Sequence, residues 1–316
     1  MGSILTRQAT IVADAGPTAG LGHLSRSGAL AVALRCQGFE VRALLHGQAD
    51  PVVRDGVDWQ PVREIPRGVD GVVVVDSYLL DHEAIAALRG SGPLLAFVDP
   101  TRDAPDADVL VGYGLDDHRA LEGPAHACLR PMFWGVRPRD TAPTVRRVLV
   151  TVGGSAITGG ATLAASVAQA VPDAEVHFVV GPYAEEAPED GVRLVRAPSD
   201  LLDELLRADV VVSAAGQTML EAACTGTPCV AVALAGNQRL QLAALQTAGA
   251  VVAATSDNAA ATVATLAADA PRRAALAARS RTVVDGFGAL RLAWRLRDLV
   301  RMPEQPQSAV PGGRRR

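Results

Sequence analysis

The fold of this chain is decided by the stretch Val210-Val211-Val212-Ser213-Ala214-Ala215-Gly216-Gln217-Thr218-Met219-Leu220-Glu221. Its β-branched start predicts a buried strand, the small residues that follow predict a bend, and the last residues favour a helix. The N–H groups at the start of a helix lack partners within the helix and carry a partial positive charge, so an anion binds well there. The residues predicted to hold such an anion are Ala215, Gly216, Gln217 and Thr218.

The end of this stretch has a second interpretation. Thr218 and Glu221 have the spacing of a capping box, in which each side chain hydrogen-bonds a backbone N–H group near the start of the helix. One rotamer of Glu221 cannot both complete that box and reach a ligand. The sequence therefore leaves both roles open for this carboxylate.

A second strand end carries further polar residues. The apolar run 228–234 ends in Ala235-Gly236-Asn237-Gln238, and ligands of open α/β sheets bind beyond the carboxyl ends of the strands. Asn237 and Gln238 are therefore predicted to donate hydrogen bonds to the ligand. The alternative is that they cap a helix that begins near Arg239, which is a common use of Asn.

Apolar strands alternate with helical segments in two successive parts of the chain, which predicts a parallel sheet covered by helices in each part. The proline-rich stretch 138–143 is typical of a linker. We therefore expect an α/β fold with two Rossmann-type domains, residues 1–140 and 141–302, that face a central cleft. The polar tail 303–316 is expected to be disordered.

Composition narrows the class of protein. The 316 residues are 49% hydrophobic and carry a formal net charge of −4, which gives no general attraction to nucleic acid or to an anionic membrane. The apolar runs are too interrupted to span a bilayer, and the first residues lack the apolar core of a signal peptide. We expect a cytoplasmic protein with four buried free thiols, namely Cys36, Cys128, Cys224 and Cys229.

The first strand, residues 9–13, leads to Asp14 and then to Gly20-Leu21-Gly22-His23 at the start of a predicted helix. An imidazole in this position can activate water as a general base. The alternatives are a ring that only hydrogen-bonds the loop or only binds phosphate. We interpret His23 as the catalytic base.

Four further residues in this half each have a functional and a structural interpretation. Asp14 either binds the substrate or holds His23 in one tautomer, or else forms a local turn. Arg26, one helical turn past His23, either reaches a phosphate or forms a structural ion pair. Asp76 and Tyr78, at the end of the strand 71–76, either line the substrate pocket or form a helix cap beside a packed ring.

In the second half, the strand 147–152 closes in Gly153-Gly154-Ser155. Small residues let an anion approach backbone N–H groups, although the same residues are ordinary in loops. Gly154 and Ser155 are therefore candidates for the anion site. The sequence contains no Ser/His/Asp arrangement, zinc motif or Walker loop, which disfavours proteases, deaminases and kinases.

Several of these segments resemble one known family, the nucleotide-sugar hydrolases of pseudaminic acid synthesis and their spore-coat polysaccharide relatives. The similarity runs in order over about residues 9–255. The segments that carry it are Gly20-Leu21-Gly22-His23-Leu24-Ser25-Arg26, Asp76-Ser77-Tyr78, Leu129-Arg130-Pro131, Gly153-Gly154-Ser155, Ser213-Ala214-Ala215-Gly216, Gly226-Thr227-Pro228 and Asn237-Gln238.

The resemblance implies a GT-B-like fold, shared with inverting glycosyltransferases, and a UDP-sugar in the cleft without a metal or other cofactor. It implies hydrolysis at the anomeric carbon, with His23 as the base and UDP as the leaving group. It also implies nucleotide contacts from Gly22 and hydrogen bonds from the ribose hydroxyls to Glu221.

Three hypotheses follow from the sequence. The first is a hydrolase that cleaves a UDP-linked amino or deoxy sugar into UDP and free sugar. The second is an inverting glycosyltransferase with the same donor site, in which His23 deprotonates an acceptor instead of water. The third is a nucleotide-sugar binder without turnover. The oligomeric state stays open.

Overall fold

The structure is a computed structural model that describes residues 7–17, 19–47, 50–99, 101–137, 139–154, 158–187, 190–196 and 201–301. Two of the sequence predictions fall elsewhere. Ser155 of the second glycine-rich bend and the tail 303–316 lie outside the described residues.

The first half of the chain folds around a mostly parallel sheet with helices α1 (Gly22–Cys36) and α2 (His82–Leu88). Its described strands are β1 (Arg7–Asp14), β2 (Phe39–His46), β3 (Val52–Arg54), β4 (Val57–Pro61), β5 (Val72–Asp76), β6 (Leu94–Phe97), β7 (Val109–Gly112) and β8 (Ala120–Glu122). Their spatial order is β3-β4-β2-β1-β5-β6-β7-β8, and among them the β3–β4 pair is antiparallel.

Strand β5 shows why helices cover both faces of this sheet. The strand is apolar without alternation and is buried along its whole length. Val72 and Val74 belong to the core beneath α1, whereas Val73 and Val75 belong to the core on the α2 side. A strand with two apolar faces is stable only between two layers of helices.

The hairpin β3–β4 was not predicted from the sequence. Asp55 and Gly56 form its turn with φ angles of 51° and 74°, the positive values that a type I′ turn requires. An Asp-Gly pair between two β-prone runs is a strong hairpin signal, so the information was present. The hairpin matters because it places Arg54 beside the site described below.

The second half contains a sheet that is parallel throughout its described strands. These are β9 (Arg147–Thr151), β10 (Glu175–Val180), β11 (Val192–Arg196), β12 (Val210–Ala214), β13 (Cys229–Val232) and β14 (Val252–Ala254), in the order β11-β10-β9-β12-β13-β14. Its helices are α3 (Gly160–Ala170), α4 (Leu201–Arg207), α5 (Gln217–Thr225), α6 (Gln238–Thr247), α7 (Ala259–Ala268) and α8 (Ala270–Val283). The strand–bend–helix expected around Gly216 is present as β12 and α5.

The last described helix, α9 (Gly288–Arg301), returns to the first half of the molecule. Ala289, Leu292, Ala293 and Leu296 lie in the same core as the apolar face of α1. The expected boundaries placed this helix in the unit 141–302, but its small and aliphatic face packs on α1. The division near residue 140 stays a prediction, with α9 moved to the first unit.

The two parallel sheets confirm the predicted α/β class. In the described part of the chain, no helix is long and apolar enough to cross a membrane. Cys128, Cys224 and Cys229 are buried free thiols, as predicted, whereas Cys36 at the end of α1 is exposed. Burial raises the pKa of the three buried thiols, so they behave as apolar groups.

Candidate active site between the two sheets

A cavity of about 380 Å³ lies between the two halves of the molecule. The starts of α1 and α5 reach it, as do the ends of β9 and β12. Seven of the residues singled out in the sequence line it: Gly22, Gly154, Gly216, Gln217, Thr218, Glu221 and Gln238. The structure therefore gathers residues from both glycine-rich bends around one space, called the larger cavity below.

The bend before α5 offers fewer free amides than the sequence suggests. The N–H of Ala215 donates to the carbonyl of Val232, and the N–H of Gly216 donates to the carbonyl of Ala214. Ala215 is also fully buried, so it does not reach a ligand. The available donors are instead the first-turn N–H groups of α5, which begin at Gln217 and have no acceptor within the helix.

Glu221 is not part of a capping box. The N-cap of α5 is Gly216, which has no side chain to cap with, and Thr218 lies inside the helix. The Glu221 carboxylate instead accepts a hydrogen bond from Nε of Arg130 at 2.9 Å. Burial raises the pKa of Glu221, although the charge of Arg130 opposes that rise. An ion pair therefore holds this carboxylate on the cavity wall.

The second glycine-rich bend lies against the first half of the molecule. A Cβ atom on Gly154 would lie 3.2 Å from Cγ of Leu21, so glycine permits the close approach of the two halves. The following helix, α3, already holds a carboxylate, because Glu186 accepts from the N–H groups of Gly160 and Ala161. The start of α3 is therefore occupied by a side chain of the protein, whereas no side chain caps the start of α5.

His23 forms a buried pair with Asp76. Its Nδ1 lies 2.5 Å from Oδ1 of Asp76, and its ring packs edge-on against Tyr78 with centroids 4.3 Å apart. Burial raises the pKa of Asp76, but the charges of Arg26 and His23 more than offset this effect and hold that pKa well below its usual range. The ionised carboxylate can only accept, so Nδ1 carries a proton, and the neutral form of the ring has its lone pair on Nε2.

The sequence allowed Arg26 either a phosphate contact or a structural ion pair, and the structure shows the ion pair. Its Nε and Nη2 donate to the two carboxylate oxygens of Asp76 at 2.7 and 2.5 Å, and its guanidinium lies 5.0 Å from the centroid of Phe97. Ser27 donates to the same carboxylate at 2.8 Å. Asp76 is therefore saturated by three partners and fully buried, and it does not line a pocket.

Asp14 does not orient His23, although one interpretation of the sequence gave it that role. Its carboxylate accepts from Oγ of Ser77 at 2.8 Å and from the N–H groups of Tyr78 and Leu79 at 2.5 and 3.1 Å. These hydrogen bonds fix the loop that follows β5. Asp14 thus acts as a buried anchor for that loop.

The register of the sheet explains which aspartate reaches His23. Asp76 lies beside Ala13 of β1, and Ala13 belongs to the core beneath α1. Neighbouring residues in register point to the same face of a sheet, and successive residues point to opposite faces. Asp76 consequently faces α1, whereas Asp14, one residue past Ala13, faces the other side.

A smaller cavity of about 70 Å³ lies on the other side of α1's first turns. Arg26, Tyr78 and Tyr113 line it from the first half and Asn237 lines it from the second, while Gln217 lines both cavities.

His23 lies along α1 between residues that line different cavities. Gly22 and Ser25 line the larger cavity and Arg26 lines the smaller one. The ring of His23 is 4% exposed and is on neither wall, because Asp76 and Tyr78 cover it. The ring that the sequence predicts as the catalytic base is therefore buried next to both cavities and lines neither of them.

Asn237 and Gln238 do not cap α6 with a side chain. Asn237 occupies the N-cap position without a side-chain cap bond, and its Nδ2 donates to the hydroxyl of Tyr78 at 3.0 Å. This hydrogen bond joins the two halves of the molecule. Oε1 of Gln238 accepts from the N–H of Leu234 at 2.9 Å, so Gln238 is fixed at the end of β13 beside the larger cavity.

The polar residues on the cavity walls that were not predicted as site residues include Arg54, Arg130 and Tyr113. The Asp-Gly turn would have placed Arg54 at the end of a hairpin strand, but not on the cavity wall. The hydroxyl of Tyr113 is buried without a hydrogen-bond partner among the described residues, and burial raises its pKa. No local pattern marks Tyr113, because its position depends on where β7 lies in the sheet.

Sequence comparison identifies no family. No family model matches the chain. A segment of 77 residues is 40% identical to the tryptophan synthase alpha chain of Novosphingobium aromaticivorans, and it spans 24% of this chain and 29% of that protein. This coverage is too small to show common membership.

Solved structures align with nearly the whole chain. SsfS6, a glycosyltransferase of Streptomyces sp. SF2575 in complex with thymidine diphosphate, has a TM-score of 0.63 and 16% identity, and the alignment covers 92% of this chain and 99% of SsfS6. The glycosyltransferase SnogD of Streptomyces nogalater has a TM-score of 0.59 and 21% identity, with 93% and 99% covered. MurG of Acinetobacter baumannii has a TM-score of 0.59 and 13% identity, with 92% and 99% covered.

At these identities the likeness shows the fold alone. It does not confirm the narrower resemblance to the pseudaminic-acid hydrolases. The chain has the GT-B fold of these glycosyltransferases, as predicted from its sequence.

Proposed function

We propose that this protein is a glycosyltransferase that takes a sugar from a nucleotide-sugar donor. The observation that carries the proposal is the larger cavity, which is lined by the uncapped start of α5 and by the start of α1, with the buried His23–Asp76 pair next to the α1 residues on its wall. Sugar transfer from a diphosphate needs an anion site and a general base in that arrangement. The GT-B fold, shared with a neighbour solved with thymidine diphosphate, supports the same conclusion.

The donor is a pyrimidine nucleotide sugar, linked to UDP or TDP. Its diphosphate lies at the first turn of α5, where the N–H groups from Gln217 onward and the hydroxyl of Thr218 donate to the phosphate oxygens. Glu221, held by Arg130, accepts from the ribose hydroxyls. The close contact of Gly154 with Leu21 keeps the two halves of the molecule together around the nucleotide.

The chemistry is a single displacement at the anomeric carbon. The acceptor oxygen forms a bond to that carbon, the bond from the carbon to the phosphate oxygen breaks, and the acceptor proton moves to Nε2 of His23. Asp76 keeps the proton of His23 on Nδ1 and stabilises the imidazolium that forms. The first-turn N–H dipoles of α5 stabilise the charge that develops on the leaving diphosphate.

Hydrolysis is the second candidate, with water as the acceptor. The observation that favours it is the size of the smaller cavity beside Arg26 and Tyr78, about 70 Å³. Because one water molecule takes up about 30 Å³ in the liquid, this space suits water or a small group better than a large acceptor. The resemblance to nucleotide-sugar hydrolases supports the same candidate.

The deciding experiment is nucleotide release from a panel of UDP-, TDP-, GDP- and CMP-sugars. Release is measured first without an acceptor and then with hydroxyl- and amine-bearing acceptors. Release of UDP or TDP that requires an acceptor supports transfer, whereas fast release without one supports hydrolysis. Failure of the protein to bind any nucleoside diphosphate contradicts both candidates.

A further inference from the structure

The larger cavity carries a positive charge that the chemistry above does not use. Its charged lining, among the described residues, consists of Arg54, Arg130 and Glu221. Arg130 and Glu221 form the ion pair at 2.9 Å described above. Arg54 therefore adds a net positive charge to this wall.

Arg54 is poorly compensated by its own surroundings. Its Nε is buried and has no hydrogen-bond partner among the described residues. The nearest carboxylate is that of Asp55 at 3.6 Å, which is beyond hydrogen-bond distance. Burial and the charge of Arg130 lower the pKa of Arg54, while Asp55 and Glu221 oppose this effect. A partly buried guanidinium whose ion-pair partner lies beyond hydrogen-bond distance favours a further anionic partner.

The hairpin fixes the position of this guanidinium. The positive φ angles of Asp55 and Gly56 define the turn that directly follows Arg54. Arg35 of α1 donates to the carbonyl of Gly56 at 2.8 Å, which ties the turn to the first helix. Arg54 therefore reaches the cavity from a rigid element of the first half, whereas the start of α5 belongs to the second half.

We propose that Arg54 is a phosphate-binding residue that contacts the diphosphate of the nucleotide from the first half of the molecule. The inference rests on the proposed function, and it adds a second source of positive charge opposite the α5 helix. A guanidinium can donate to two phosphate oxygens at once. Nucleotide binding thereby bridges the two halves, and a nucleoside without phosphates does not engage Arg54.

The test is isothermal titration with UDP, TDP and uridine against the full chain and three variants. Arg54→Ala removes the charge and Arg54→Lys keeps it without the planar donor pair. Arg42→Ala removes an exposed arginine on β2 that is not part of the cavity lining. Thermal unfolding of each variant verifies that the fold is retained.

We expect Arg54→Ala to weaken UDP and TDP binding roughly 10- to 100-fold, as for the loss of hydrogen bonds to a charged group. Uridine affinity should stay within about twofold, since uridine carries no phosphate. Arg54→Lys should lie between the wild type and Arg54→Ala, and Arg42→Ala should match the wild type.

Two results overturn the inference. One is an unchanged ratio of UDP to uridine affinity in Arg54→Ala, and the other is an equal loss for Arg42→Ala. If the wild type binds no nucleoside diphosphate, the proposed function fails and this inference fails with it. If the wild type binds UDP or TDP and the Arg54 variants bind them with the same affinity, the proposed function stands and the inference alone is overturned.

Discussion

The two sides of the cleft differ in their polar groups. We call the start of α1 with the His23–Asp76 network the first rim, and the start of α5 the second rim. On the first rim, charged side chains neutralise one another, since the buried carboxylate of Asp76 accepts from His23, Arg26 and Ser27. On the second rim, the start of α5 presents backbone N–H groups and the hydroxyl of Thr218, and no side chain caps the helix.

This difference separates two tasks. A fully partnered network holds one imidazole tautomer in place and keeps a lone pair for proton transfer, without attracting a permanent ligand. The N–H groups at an uncapped helix start have no hydrogen-bond acceptor within the helix, so an anion can bind there. Changes to the His23–Asp76 network should therefore alter rate and stability, whereas changes at the start of α5 should alter nucleotide affinity.

Replacing His23 with Gln is the strongest test of the difference between the two rims. Loss of a general base should lower kcat by about 10²–10⁴-fold, while UDP or TDP affinity should change little, because the His23 ring does not line the larger cavity, where we propose that the phosphates bind. Turnover with the donor found in the release panel and titration with the nucleotide measure the two effects. His118→Ala, at a residue whose side chain is 93% exposed, is the matched control. Full activity of His23→Gln would remove the base assignment.

Asp76→Asn tests whether the first rim is also a stability element. The variant leaves Arg26 without its buried partner, which should cost roughly 3–5 kcal/mol of unfolding free energy at pH 7. Because the folded-state pKa of Asp76 is depressed, its contribution is present above the unfolded pKa, about 3.9, and is lost as the pH falls through the folded value. The difference in unfolding free energy between the wild type and the variant should therefore become smaller below about pH 4.

Urea unfolding across this pH range measures the difference. Glu40→Gln, at an exposed position on β2, is the control and should stay within about 0.5 kcal/mol of the wild type. Two results would contradict the assigned role of the Asp76 network. One is an equal loss of unfolding free energy in the two variants, and the other is a difference between wild type and Asp76→Asn that does not depend on pH.

Glu221→Gln tests the second rim. The change removes the charge that we propose accepts the ribose hydroxyls, and it should weaken UDP or TDP binding by about 1.5–3 kcal/mol with little effect on turnover at saturating donor. Since burial raises the pKa of Glu221, acidification should also weaken wild-type binding before it affects the variant. A variant that loses only thermal stability and keeps its affinity would show that Glu221 serves Arg130 and not the nucleotide.

The smallest expected effect concerns the hydrogen bond between the rims. Tyr78→Phe keeps the edge-on ring against His23 but removes the hydroxyl that accepts from Asn237. We expect the free energy of donor binding to become less favourable by about 0.5–1.5 kcal/mol, and this change is measured as a rise in the KM for the donor. A double-mutant cycle with Asn237→Ala should show that the two losses do not add. Additive losses would mean that the bond does not join the two halves in solution.

The sequence predicted the local structure around the start of α5 better than it predicted the contacts of the residues around His23. The strand, bend and helix around Gly216 are consecutive in the chain, so local pattern located them. The partner of Glu221 was missed because Arg130 precedes it by 91 residues. The amides of Ala215 and Gly216 were credited as free donors, yet the acceptor of the first belongs to the neighbouring strand β13.

Helix α9 and the hairpin show two further limits. The apolar face of α9 predicts that the helix is buried but not against which sheet, and its partner α1 lies at the opposite end of the chain. The Asp-Gly turn of the hairpin was readable, but nothing local places Arg54 beside the residues of α5. Long-range placement of this kind depends on which faces the other elements leave uncovered.

The sequence by itself determined the alternation of strands and helices, the two parallel sheets, the bends and the residue types at the strand ends. Each of these depends on neighbours along the chain. Only the tertiary structure decided that Asp76 and not Asp14 supports His23. Both strands are buried on both faces toward their carboxyl ends, so composition does not show which face an aspartate occupies. That choice follows from the register of β1 against β5, since a shift by one residue turns a side chain to the other face of the sheet.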